Sequence, residues 1–122
     1  MKCDVTDTNQ LVQTFQKIHS EFPSRNISIL VNNAGRMAPI TVIKHKGFEP
    51  MVPAADMEPL EAVEHVKGLI DLNITSYIIV TRIASEYFDH EKPGIIINVG
   101  SVYGSRKING TGHSIYGASK HA

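Results

Sequence analysis

The sequence predicts an α/β protein with a parallel sheet, and three features indicate this. Segments with helical patterning alternate with two short apolar runs, in the order helix, strand, helix, strand, helix. The two runs, Ile27–Val31 and Ile95–Val99, are rich in β-branched residues and nearly continuous in apolar character, which is typical of parallel strands buried on both faces. The hydrophobic content of 42% is that of an ordinary globular domain.

Charge and cysteine content exclude several classes of protein. Lys and Arg total 12 and Asp and Glu total 12, so a formal net charge of +0 argues against a nucleic-acid-binding protein. A single cysteine, Cys3, excludes an internal disulfide and fits a reducing compartment. No apolar run approaches the ~18 residues of a membrane span, and Met1–Asp4 has no signal-peptide character. The histidines lack metal-ligand spacing, so we expect no metal site. The single cysteine and the missing signal-peptide character lead us to expect a cytoplasmic protein.

The first half of the chain predicts one helix and one strand. Asp7 and Gln10 have the spacing of a capping box, which predicts a helix that runs to about Glu21. The buried strand Ile27–Val31 follows and is broken by Asn32-Asn33-Ala34-Gly35. Prolines make 36–57 a predicted long loop.

The second half predicts a long interrupted helix and a second strand. Pro59 opens a helix to about Val66, Gly68 predicts a bend, and a second helix runs from about Leu69 to Asp89. A turn at 92–94 precedes the buried strand Ile95–Val99, a loop covers 100–114, and a final helix begins near Ser114. Two parallel strands alone are a poor core with open edges, so we expect the central part of a larger domain.

The residues with the clearest chemistry lie after the second strand. Tyr116 and Lys120 are four residues apart, so a helix places both on one face. A lysine ammonium beside a phenol favours the phenolate, which lets a tyrosine exchange protons near neutral pH. Ser101 lies just past the strand, where open α/β sheets place ligand contacts. Asn73 is a polar amide inside the long helix, where its propensity is unfavourable.

A second tyrosine–lysine pair has the same spacing. Tyr103 and Lys107 are also four residues apart, but Gly104 follows the tyrosine immediately and the segment is predicted to be a loop. We therefore assign the catalytic pattern to Tyr116 and Lys120, whose intervening residues favour a helix.

Taken in order, these segments resemble the central portion of a short-chain dehydrogenase/reductase. The family has a doubly wound parallel sheet of Rossmann type. The matching positions span the chain: Asp4-Val5, Asn32-Asn33-Ala34-Gly35, Asn73, Ser101, Tyr116 and Lys120. The segment from Tyr116 to Ala122 is similar to farnesol dehydrogenase-like members, and the spacing from Ser101 to Tyr116 is similar to carbonyl reductase-like members.

The resemblance implies an NAD(P)-dependent oxidoreductase that interconverts a carbonyl and a secondary or primary alcohol. Tyr116 would be the general acid/base, and Lys120 would activate it and bond the nicotinamide ribose. Ser101 would orient the carbonyl, and Asn73 would hold a water that links Lys120 to solvent. The remaining cofactor contacts implied are Asp4, Val5, Asn33, Ala34 and Gly35.

The resemblance also has gaps that bear on activity. The family's glycine-rich TGxxxGxG loop and its C-terminal substrate region have no counterpart here, so residues 1–122 would form a partial NAD(P)-binding domain. Because that loop anchors the cofactor phosphates, we expect the 122 residues alone to be inactive. The alternative is a catalytically incompetent fragment with at most an interaction role. The resemblance further implies a small-molecule substrate and a homo-oligomeric parent enzyme, and leaves the choice between NAD and NADP open.

Overall fold

A computed structural model describes residues 1–37, 58–106 and 114–122. Its chain divides into two compact units, the first formed by Met1–Ala34 and Thr75–Val99 and the second by Gly35–Ile74 and Gly100–Ala122. Most of the predicted 36–57 loop lies outside the described residues. The helices and strands are α1 (Thr8–Glu21), β1 (Ile29–Asn32), α2 (Pro59–Ile70), α3 (Ser76–Ala84), β2 (Ile95–Asn98), α4 (Val102–Ser105) and α5 (Ser114–His121).

The first unit contains the sheet. Strands β1 and β2 pair in parallel, in a register that runs from Ile29 opposite Ile95 to Asn32 opposite Asn98. One further main-chain hydrogen bond extends the pairing past each end, and the later one joins Val99 N to Asn32 O at 2.9 Å. The predicted α/β class and parallel sheet are therefore confirmed.

The predicted burial of the two strands is wrong. Ile29 and Val31 are 56% and 53% exposed, and Ile95 and Ile97 of β2 are 54% and 45% exposed. Side chains alternate between the faces of a strand, and only Leu30 and Asn32 of β1 are even partly covered. A continuous apolar run predicts a strand that other elements cover on both faces. Among the described residues of the first unit, only one face of β1 is covered.

The core of the first unit lies between α1 and α3. Leu11 and Phe15 of α1 pack with Val80 and Ala84 of α3, and all four are buried. The ring of Phe15 stacks on that of Tyr87, with the centroids 5.7 Å apart. These side chains form the hydrophobic core of the first unit, and Ile79, Ile83 and Tyr87 pack against it partly buried.

Helix α1 begins at the predicted cap. Asp7 Oδ1 accepts hydrogen bonds from the main-chain N–H of Asn9 and Gln10, at 2.9 and 3.1 Å. The Gln10 amide does not bond the main-chain N–H of Asp7. It donates instead to Asp7 Oδ2 and accepts from Asp4 N. The hydrogen bonds from the Gln10 main chain and side chain lower the pKa of Asp7 below its ordinary value of 3.8.

The irregularity in the long helix lies elsewhere than predicted. Helix α2 runs straight through Gly68, where we expected a bend. A π-helical turn, Asp71–Thr75, joins α2 to α3 and contains Asn73. The helix also ends earlier than expected, because a 3₁₀ turn, Ser85–Tyr87, follows Ala84. Turns of π type are frequent at functional sites.

Candidate active site

The second unit holds a hydrogen-bonded cluster around Asn73, which is 2% exposed. Its Oδ1 accepts from Arg36 N at 3.0 Å. Its Nδ2 donates to Arg36 O at 3.0 Å and to Ser119 Oγ at 2.9 Å. Both donors of the amide are therefore used, which satisfies a polar group that would be costly to bury alone. The amide ties the π turn to the segment after Gly35 and to α5.

Gly35 lies against two of the predicted site residues. A Cβ built on Gly35 would stand 3.1 Å from Asn73 Oδ1 and 3.2 Å from Lys120 Nζ. These separations are tighter than almost all real Cβ contacts, so a larger residue would push the amide or the ammonium aside. The structure thus brings Gly35, Asn73 and Lys120 together although they are far apart in sequence.

Helix α5 carries Tyr116 and Lys120, as predicted. Both side chains are half-buried, and their spacing of one helical turn puts them on one face. Between them Ser119 is 3% exposed, and its hydroxyl donates to Tyr116 O at 2.8 Å. We had not identified Ser119 from the sequence.

Ser101 and Tyr103 lie on a short helix where we predicted a loop. Ser101 caps α4, and its Oγ accepts from Tyr103 N at 3.3 Å. The ring of Tyr103 meets that of Tyr116 edge-on, with the centroids 5.7 Å apart and an angle of 66° between the planes. This arrangement is a favourable one for two aromatic rings. Lys107, the partner that we rejected for Tyr103, lies outside the described residues.

Close packing of α4 on α5 depends on two glycines. A Cβ on Gly104 would overlap the main-chain carbonyl of Lys120, and one on Gly117 would stand 3.0 Å from Tyr103 O. His121 Nδ1 lies 2.6 Å from Gly104 O, which can only accept, so the ring nitrogen donates. Gly104 indicated a loop in the sequence, whereas its structural role is to let two helices touch.

The other predicted cofactor residues belong to the first unit. Asp4 is exposed, and its Oδ1 accepts from Thr6 N at 2.9 Å and from the Thr6 hydroxyl at 2.7 Å. Both bonds lower the pKa of Asp4 below its ordinary value of 3.8, and the bond from the Thr6 main chain has the larger effect. Val5 is half-buried against the core of that unit. Asn33 and Ala34 are exposed directly after β1, at the carboxyl edge of the sheet.

Residues 1–37, 58–106 and 114–122 contain neither a cluster suited to a metal ion nor a membrane-spanning helix. No group of three His, Cys, Asp or Glu side chains there is placed to hold a metal ion. No helix in those ranges has both the length and the apolar character needed to cross a membrane.

Comparison with known proteins identifies the family. The profile of the short chain dehydrogenases matches residues 1–122. The chain is 27% identical over 120 residues to carbonyl reductase family member 4 of Xenopus tropicalis. The alignment covers 98% of this chain and 42% of that protein. It is 30% identical over 124 residues to 15-hydroxyprostaglandin dehydrogenase (NAD(+)) of Rattus norvegicus, covering 99% of this chain and 36% of that protein.

A solved structure extends the likeness to the fold. The ligand-free aldohexose dehydrogenase of Thermoplasma acidophilum superposes with a TM-score of 0.74 at 26% identity, over 99% of this chain and 40% of that chain. This likeness identifies the fold of β1, β2 and their helices as part of a Rossmann-type α/β fold. The chain spans less than half the length of each of these proteins. With a family profile that matches from the first residue to the last, the chain belongs to the short-chain dehydrogenase family.

Proposed function

We propose that this chain carries the proton-transfer residues and part of the nicotinamide-cofactor site of an NAD(P)-dependent oxidoreductase. The reaction is the interconversion of a carbonyl compound and a secondary or primary alcohol. The observation that carries the proposal is the convergence of Gly35, Asn73 and Lys120, with Tyr116 one turn away on the face of α5 that carries Lys120. Membership of a family of oxidoreductases supports it.

In each unit, taken by itself, the residues present suit one part of a nicotinamide dinucleotide. Because Gly35 has no Cβ, nothing at that position presses on Lys120 Nζ. The Lys120 ammonium would bond the ribose hydroxyls. Asn33 and Ala34 are exposed at the carboxyl edge of β1, where open α/β sheets bind dinucleotides. The Asp4 carboxylate is ionised at neutral pH, and its second oxygen would accept from the adenine amino group. Val5 would support that contact from the core.

The proton step falls to residues of the second unit. The cofactor, when bound, supplies or accepts the hydride. In reduction the Tyr116 phenol gives its proton to the oxygen that was the carbonyl, and in oxidation it takes the proton back. The Ser101 hydroxyl would hydrogen-bond the same oxygen and orient it. Lys120, as the neighbouring cation, would stabilise the phenolate that remains.

The Asn73 side-chain N–H groups do not hold the water that would link Lys120 to solvent. Both of its Nδ2 protons are already donated, to Arg36 O and to Ser119 Oγ. A water that connects Lys120 to solvent would therefore be held by the second lone pair of Asn73 Oδ1 or by the Asn73 main-chain carbonyl. The side chain itself chiefly fixes the π turn against α5.

Two cofactors and one cellular setting belong to the same proposal. The name of the rat relative specifies NAD(+), and we propose NAD or NADP for this chain. We also propose a cytoplasmic location, a small-molecule substrate and a homo-oligomeric parent enzyme. The single cysteine fits a reducing compartment, and the family supports the other two.

An incompetent fragment is the second candidate, and one observation favours it. Ile29, Val31, Ile95 and Ile97 are about half exposed, so a large part of the apolar surface of the sheet stays in contact with water. Such a protein can retain the site residues and still not convert a substrate. We accordingly expect the 122 residues alone to bind a nicotinamide nucleotide without measurable turnover.

Calorimetric titration of the purified chain with NADH and NADPH tests the proposal, with hydride transfer to small aldehydes and ketones followed in parallel. We expect saturable binding of at least one nucleotide, weakened in Lys120→Ala and nearly unchanged in Tyr116→Phe. Any turnover should fall by about 10²–10⁴-fold in Tyr116→Phe. Absence of binding for all nicotinamide nucleotides, or turnover that survives Tyr116→Phe, would contradict the proposal.

A further inference from the structure

Ser119 is a buried polar residue that the proton step does not use. It is 3% exposed and lies next to Lys120 in α5. Its hydroxyl accepts from Asn73 Nδ2 at 2.9 Å and donates to Tyr116 O at 2.8 Å. An amide nitrogen can only donate and a carbonyl can only accept, so the direction of both bonds is fixed.

These two bonds connect the elements that form the candidate site. Arg36 O and Ser119 Oγ share the two protons of Asn73 Nδ2, and the Ser119 proton continues to Tyr116 O. The π turn is thereby tied to the first turn of α5. Helix α5 has only eight residues, too few for stability on its own, so its position depends on such contacts.

The bonds also set the rotation of α5. Ser119 follows Tyr116 by three residues and precedes Lys120 by one, so a rotation that moved its hydroxyl away from Asn73 would carry both side chains with it. Lys120 Nζ would then leave the space beside Gly35. We propose that Ser119 is a positioning residue, whose hydroxyl fixes the rotation of α5 at which Tyr116 and Lys120 reach the site.

A second serine provides a control that separates the two hydrogen bonds of Ser119. Ser20, in the last turn of α1, donates to Lys17 O at 2.8 Å, the same bond to the third preceding carbonyl that Ser119 makes. Ser20 is exposed, whereas Ser119 is buried and bonded to Asn73. Ser20→Ala is therefore a matched control that removes the local bond without touching the candidate site.

Nuclear magnetic resonance of the isotope-labelled 122-residue chain tests the proposal without needing turnover. In Ser119→Ala we expect the Asn73 side-chain amide protons to exchange with solvent roughly tenfold faster, since a buried donor loses its partner. We also expect the Tyr116 ring and Lys120 Cε signals to shift. Ser119→Thr keeps the hydroxyl and should restore both signals, even where its extra methyl lowers stability. Ser20→Ala should leave all of these signals in place.

A further variant keeps the test decisive if Ser119→Ala does not fold. Ser119→Cys has nearly the same volume and only a weak donor, so it should show the same shifts without opening a cavity. Unchanged Tyr116 and Lys120 signals in a folded Ala or Cys variant would overturn the proposal. So would shifts that Ser119→Thr fails to restore, because the hydroxyl would then not be the cause.

The consequence for cofactor binding rests on the proposed function and is measured separately. The affinity of Ser119→Ala for NADH or NADPH should fall roughly fivefold, the equivalent of one lost hydrogen bond. If wild-type chain binds no nicotinamide nucleotide, the proposed function fails, while the signals of Tyr116 and Lys120 still decide the role of Ser119. If wild type and Ser119→Ala bind equally well, the positioning role is refuted and the proposed function stands.

Discussion

Replacing Gly104 by alanine should force helices α4 and α5 apart. The new methyl would overlap the Lys120 carbonyl and stand 2.9 Å from His121 N, and both atoms belong to main chain that cannot rotate away. Overpacking of this kind costs about 1–3 kcal/mol, while alanine gains about 1 kcal/mol over glycine in helix propensity. Because the overlap is with fixed main chain, the cost lies near the upper end of that range, and the expected net destabilisation is about 2 kcal/mol, with a displacement of Lys120 as its structural result.

Thermal unfolding followed by circular dichroism measures the effect. At roughly 4 °C per kcal/mol for a domain of this size, the midpoint should fall by roughly 8 °C. Gly100→Ala is the matched control, because a Cβ built there has no atom of the described residues within 4 Å apart from its chain neighbours. That variant should equal or slightly exceed the stability of the wild type, because alanine restricts the unfolded chain. A Gly104→Ala variant as stable as Gly100→Ala would refute the packing of α4 on α5 described above.

Three further predictions concern other contacts of the site and of the first helix. Asn73→Ala should destabilise the chain by about 1–3 kcal/mol in chemical denaturation, because Ser119 and Arg36 lose buried partners; an unchanged midpoint would contradict the cluster. Tyr103→Phe should leave the Tyr116 ring signals nearly in place while Tyr103→Ala shifts them, since the edge-on contact needs only the ring. Folding lowers the pKa values of Asp4 and Asp7, so their stabilisation is present above pH 3.8 and is lost as pH falls below it. Asp7→Asn should flatten that loss in acid denaturation, and an equally steep loss would assign it to other carboxyl groups.

The elements that the sequence predicted correctly are those with local causes. Asp7 and Gln10 define the start of α1 because a cap is a contact between near neighbours. The isoleucine-rich runs gave both strands and their parallel pairing. Burial of those strands could not be predicted, because it depends on what covers a face and not on the strand's own residues.

The residues proposed for the site could be selected from the sequence, but the hydrogen bonds that connect them could not. Tyr116 and Lys120 were chosen by their spacing together with the residues between them, and Asn73 was noted as an amide at a position where its helix propensity is unfavourable. The hydrogen bonds of the Asn73 amide go to distant partners, Arg36 and Ser119, which no local sequence pattern relates to it. Gly104 was misread for the same reason, since the carbonyl it avoids belongs to another helix.

The central claim is that Gly35, Asn73 and Lys120 form part of a nicotinamide-nucleotide site with Tyr116 beside it. Its most direct test is a titration of the isotope-labelled chain with NADH and with NADPH, read at the Gly35 main-chain amide and at Lys120 Cε. The account predicts saturable shifts at both positions with one nucleotide, and the loss of the Gly35 shift in Lys120→Ala. Signals that stay fixed with both nucleotides, or that move only at sites outside the second unit, would contradict it.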